Sequence, residues 1–186
     1  MEAITNDNVA VLFLDLQDQI ISGAKTIGRH RLRRAAGALA KLCALHELPA
    51  FLSSIPQGGT FLKGVVEPLG EPPLRPRTVT TAFGDAQLVA DLQATGRKVV
   101  VLAGVASEIV VLRTALDALA AGFEVQIAID ACGGFSERTE AAAWNRATAN
   151  GAVMTSVVTL AAELAGDFTT PTGEETLALV YEAAGK

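Results

Sequence analysis

Short apolar runs rich in β-branched side chains alternate along this chain with longer segments whose apolar residues recur at helical spacing. No other feature constrains the fold as much, because strands joined through helices run parallel and a parallel sheet needs helices over both faces. Residues 8–15 (NVAVLFLD), 49–54 (PAFLSS), 98–103 (KVVVLA), 124–129 (EVQIAI) and 152–155 (AVMT) read as strands. Residues 29–46 read as a helix with Leu32, Ala36, Leu39 and Leu42 on one stripe, and residues 85–94 and 137–149 as two more. A further helix opens at Ser107, a capping residue type, and runs to residue 121 before Gly122. The Gly- and Pro-rich residues 56–76 break the alternation, and a loop of that length inside a compact domain lines a site or an interface. The expected fold class is α/β, a three-layer α/β/α arrangement with a mostly parallel central sheet. No internal repeat, low-complexity tract or linker interrupts the pattern, so residues 1–186 are expected to form a single domain.

Composition narrows the function classes. A formal charge of −5 and a pI near 5.0 leave no basic footprint for nucleic acid or an anionic membrane. No uncharged apolar run approaches a bilayer span, and the start MEAITNDN lacks a basic region followed by an apolar stretch. Cys43 and Cys132 are too few for a disulfide framework. A cytoplasmic protein with a small-molecule substrate is expected. Half the residues are hydrophobic, and that content, with the Gly/Pro-rich passage and alanine-rich helices, predicts a homo-oligomer.

Ligands of an open parallel sheet bind beyond the carboxyl ends of its strands, so the residues just after each apolar run are the ones to inspect. Asp15 ends VAVLFLD, where a carboxylate is costly unless paired, hydrogen-bonded or protonated. Arg75 and Arg77 precede Thr80-Thr81-Ala82-Phe83, and either is a candidate site cation, for an anionic substrate or for Asp15. The turn GVASE joins the central strand to its helix and presents backbone N–H groups, a cradle suited to an oxyanion. No GxGxxG, P-loop or GxSxG elbow is present, which sets a nucleotide binder well behind. His30 and His46 read as surface or helix-end polarity without metal-ligand spacing, Cys43 as a small buried hydrophobe, and Trp144 as a packing or oligomer contact. No metal or cofactor is expected.

These segments, in this order from Val9 to Asp167, resemble the isochorismatase-like hydrolase family of the cysteine hydrolase superfamily, which includes nicotinamidases, carbamoyl-amide hydrolases and true isochorismatases. VLFLDLQ is similar to the family's first strand with its catalytic Asp and following Gln, here Asp15 and Gln17. RTVTTAF is similar to the segment whose basic residue, usually Lys, stands six positions before an aromatic, here Arg77 and Phe83. LAGVASEIVVLRTALDALAAGFEVQIAIDACGGFSE resembles the long signature in which the nucleophilic Cys falls on Val110. GAVMTS resembles the last strand. The resemblance implies a cis peptide at Val105–Ala106 that turns the N–H groups of Ile109 and Val110 toward the cleft. It implies substrate contacts from Gln17, Phe83, Val105, Ala106 and Ile109.

A valine can neither attack nor ionise, and Cys132, after a different strand, does not replace the thiol. True isochorismatases also lack the Cys and use the Asp as proton donor, but with a glycine where Val110 stands, which argues against isochorismate itself. Two functions follow. The first is a hydrolase of a small anionic molecule acting by acid and base catalysis through Asp15, with Arg77 holding a substrate carboxylate. The alternative is a non-catalytic family member that binds a small molecule or serves in an oligomeric assembly.

Overall fold

The computed structural model describes residues 3–185. Six strands, β1 (Val9–Leu14), β2 (Ala50–Ser54), β3 (Leu74–Pro76), β4 (Val99–Val105), β5 (Glu124–Gly133) and β6 (Val153–Thr155), form one parallel sheet in the order β3-β2-β1-β4-β5-β6. The helices are α1 (Asp18–Ile21), α2 (Arg29–Leu45), α3 (Lys63–Val66), α4 (Ala86–Ala94), α5 (Leu112–Ala120), α6 (Glu137–Ala149), α7 (Val157–Ala165) and α8 (Pro171–Ala184). Alternating side chains of β1 serve two cores: Val9, Val11 and Phe13 pack under α2, α7 and α8, while Ala10, Leu12 and Leu14 pack under α4, α5 and α6. These are the three expected layers, and the long apolar strands are apolar because both faces are covered.

Three readings of the sequence need correction. Residues 56–76 are not structureless: they contain α3 and the edge strand β3, whose three residues gain order from pairing with Leu52, Ser53 and Ser54. β5 runs four residues beyond residue 129, because its register against β4 shifts between Leu102 and Gly104 and pairing resumes at Gly104 with Cys132. His46 lies at the end of α2, as the helix-end reading has it, but it is buried rather than on the surface, since α8 covers it. His30 is exposed and Trp144 packs half-buried on the α5 and α6 side. Among the described residues no helix is long and apolar enough to cross a membrane.

Chain direction places the site. From β1 the sheet grows one way through β2 and β3 and the other way through β4, β5 and β6, so β1 and β4 flank the switch point where a crevice opens at the strand ends. Their register brings Leu14 beside Gly104. A Cβ at Gly104 would meet the Leu14 carbonyl oxygen, so only glycine lets the strands approach this closely beside the crevice.

Candidate active site

Both candidate charged residues hang from the end of β2. Asp15 donates its N–H to the Ser53 carbonyl (2.9 Å), and Arg77 donates its own to the Ser54 carbonyl (2.8 Å). Asp15 leaves β1 with a φ of 51°, a left-handed conformation that costs most residues but that Asp adopts more readily. The Gln17 N–H returns to the Asp15 carbonyl at 2.7 Å and closes the turn. The two side chains then meet in a bidentate ion pair: Nη1 of Arg77 donates to Oδ1 of Asp15 at 2.6 Å and Nη2 donates to Oδ2 at 2.7 Å. Nη1 also donates to Ser53 Oγ at 3.1 Å. The side chains are 3% and 7% exposed, and fork-to-fork geometry of this kind is that of an ionised carboxylate. Nε of Arg77 is buried with no hydrogen-bond partner among the described residues. Arg75, the other candidate, pairs instead with Asp91, with Asp85 at 4.0 Å, and stays outside the cleft.

Beyond β4 the Val105–Ala106 peptide is cis, as the resemblance implies. The next residues do not follow the sequence reading. Ser107 does not cap a helix: Ala106 precedes a π turn at Ser107–Val111, α5 begins only at Leu112, and Ser107 Oγ donates to Glu140 Oε1 at 2.6 Å. The Ile109 N–H does not point to substrate either, since it donates to the Ala106 carbonyl at 3.1 Å within the turn.

Asp15, Arg77, Val105, Ala106, Ile109 and Val110 converge on one cavity of about 260 Å³. Two residues implied by the resemblance do not line it. Gln17 spends its side-chain amide on Ile55 N–H and on the Ile55 and Gly59 carbonyls, at 2.9 to 3.0 Å, so it fixes the loop that forms one wall. Phe83 packs edge-to-face on Phe123 at 5.9 Å. The remaining walls are Ile20 of α1, Ile55, Phe135 and the Thr78, Val79 and Thr80 that follow Arg77; none of these was read from the sequence as a site residue. Ser53 was missed as well, although a polar residue ending an apolar strand was a signal for it.

Glu108 holds one rim. Its Oε1 accepts from Phe135 N–H (2.9 Å) and from Thr139 Oγ1 (2.6 Å). Burial pushes its carboxyl up, but the Thr139 hydroxyl and the backbone N–H donors outweigh that and hold it below the usual range. Cys132 is buried, and burial, with Glu140 and Asp130 nearby, pushes its thiol well up; Cys43 is pushed up by burial alike. The Asp130 carboxyl, raised by burial, accepts from Val157 N–H at 3.0 Å and so anchors the start of α7. Among the described residues no group of three or more His, Cys, Asp or Glu is placed to hold a metal ion.

The Isochorismatase domain model matches residues 9–158, which span the sheet from β1 to β6 and the cavity at its switch point. The chain belongs to the isochorismatase-like hydrolase family. Over 170 residues, 89% of this chain and 81% of the relative, it is 30% identical to the probable hydrolase YcaC of Escherichia coli (strain K12). YcaC from Pseudomonas aeruginosa, solved with hexane-2,5-diol and covalent acrylamide, superposes with a TM-score of 0.91 at 26% identity, covering 99% of this chain and 94% of that one. The crystal structure of the Escherichia coli YcaC gene product, described as an octameric hydrolase of unknown specificity, gives a TM-score of 0.91 at 27% identity and covers 98% of this chain and 91% of that one.

Proposed function

We propose that residues 1–186 form one hydrolase domain that acts on a small molecule by acid and base catalysis through Asp15 and Arg77, without a thiol nucleophile. One observation carries this reading: a bidentate charge pair, almost wholly buried, borders a cavity at the switch point of the sheet. Buried ion pairs contribute little net stability, so one kept beside a cavity points to chemistry. Each Asp15 oxygen accepts one bond from Arg77 and retains a further acceptor site. Water bound there passes a proton to the carboxylate as its oxygen adds to the electrophilic carbon of the substrate. That proton then moves to the leaving group as the scissile bond breaks. The anionic substrate expected from the sequence rested on Arg77 as a free cation. With both terminal nitrogens on Asp15, the geometry favours a neutral one.

Hydrolysis of a panel of small amides, esters and vinyl ethers by wild type, lost in Asp15→Asn, is the expected result; equal rates in the two proteins overturn the reading. The family position of the Cys at Val110 is tested by Val110→Cys with Cys43 and Cys132 replaced. A thiol there that alkylates faster than free cysteine, and slower after Asp15→Asn, supports the assignment; one that reacts only on denaturation refutes it.

Val110 favours a second reading. It is 1% exposed and its side chain belongs to the apolar core, which supports a member that binds a ligand or serves an assembly without turning over. Saturable binding with no turnover of any panel member would select it. We further propose a cytoplasmic homo-oligomer. The octameric relative and the exposed Ile129, Phe135 and Val153 support assembly, and the two unpaired thiols suit a reducing compartment. A monomer in light scattering at micromolar concentration overturns the oligomer.

A further inference from the structure

We infer that the cleft selects an uncharged molecule with a compact apolar body and one hydrogen-bond-accepting oxygen, with the compensated Asp15–Arg77 pair and the apolar walls around it setting that selectivity; this deepens the proposed hydrolase reading and rests on it for the identity of the site. Among the described residues the only titratable groups lining the cavity are Asp15 and Arg77, and they compensate one another at 2.6 Å. Ile20, Ile55, Val79, Ile109, Val110 and Phe135 make most of the remaining wall. An anion entering this space gives up its water and meets a cation already paired, while a cation meets a carboxylate already paired. Both lose hydration without a free counter-charge. A neutral oxygen loses far less, and Thr78 and Thr80, which are among the lining residues, each carry a hydroxyl able to donate to it. Size sets the second limit. At about 30 Å³ for each water, a cavity of about 260 Å³ holds the equivalent of roughly nine waters, room for one ring or a short branched chain.

The experiment compares benzamide with benzoate, which share a ring and differ in charge, by calorimetric titration of the intact wild-type protein. Benzamide is expected to bind at least about tenfold more tightly. Asp15→Asn removes the compensating carboxylate, so benzoate affinity should rise by about tenfold or more and the preference should shrink or invert. Benzoate binding as tightly as benzamide to wild type overturns the inference, and so does saturable heat from neither compound at its solubility limit. The wild-type comparison stands alone if the variant does not fold. Because selectivity is read from binding, neutral compounds that bind selectively and are never hydrolysed defeat the hydrolase reading and leave this inference standing. Turnover combined with a preference for benzoate does the reverse.

Discussion

Two buried polar pairs lie in different parts of the fold. Asp15 and Arg77 meet at the C-terminal edge of the sheet; His46 at the end of α2 meets Thr176 of α8, with Nε2 and Oγ1 2.8 Å apart. The Thr176 hydroxyl donates to the Thr172 carbonyl at 2.7 Å, so it must accept from His46, which puts the ring proton on Nε2. Each pair leaves one buried nitrogen without a partner, Nε of Arg77 and Nδ1 of His46. The contrast lies in what surrounds the pair. Asp15 and Arg77 line a cavity that a ligand can enter, and the pair is charged. His46 is neutral and sealed beneath a helix, where nothing is needed except that it stay neutral. A buried polar group therefore marks a reactive site here only when strand ends, open space and charge coincide.

That contrast can be broken most directly at Asp15. Asp15→Asn should lower kcat/KM on a hydrolysed panel substrate by about 10²- to 10⁴-fold, the usual worth of a general base. Unchanged kinetics would reduce the pair to packing. Next in size, Arg77→Met leaves a buried carboxylate uncompensated and should cost about 3–5 kcal/mol in urea unfolding, most of it recovered when Asp15→Asn is added. If the double variant is no more stable than the single one, the two residues are not energetically coupled. On the sealed side, Thr176→Val should cost about 1–3 kcal/mol and leave turnover untouched. A change in KM would show that α8 communicates with the cleft.

The smallest effect is a pH dependence. Burial lowers the affinity of folded His46 for a proton, whereas in the unfolded chain it titrates at its ordinary value of about 6.5. The unfolded state thus binds more protons below that pH, and the contribution of His46, present above about 6.5, is lost as pH falls through and below it. The difference in unfolding free energy between wild type and His46→Gln should therefore narrow on acidification. A difference that stays flat or widens would mean that the ring is solvated in the folded protein.

Much of this contrast was legible in the sequence, but unevenly. Asp15 stood out because a carboxylate closing an apolar strand has few bland explanations, and Arg77 stood out through its spacing to Phe83. Phe83 itself packs on Phe123, which that spacing does not encode. The cavity walls Ile20, Ile55 and Phe135 lie far apart in the chain and share no period, so only the folded sheet brings them together. The π turn at Ser107–Val111 was hidden for a different reason: a capping residue type is visible in sequence, but whether its hydroxyl caps or reaches across to Glu140 depends on where α6 packs. The sequence reading passed over α8 altogether, although a signal for its start was present: Thr170 accepts from Gly173 N–H with Pro171 in the first turn. His46 looked like surface because the helix that buries it is remote in sequence.

The sheet's outer strands have a consequence for life in a crowded solution. β3 and β6 contribute three residues each, while the strands between them are longer and two of them, β1 and β4, are apolar and buried along their whole length. An edge strand is a template on which another chain can add itself, and its pull grows with the row of free backbone groups it displays. Three residues make a short row, and Pro76 shortens that of β3 further by lacking an N–H. The chain thus keeps its most adhesive segments, VAVLFL and VVVLAGV, in the middle of the sheet and guards both flanks with stubs too small to nucleate aggregation.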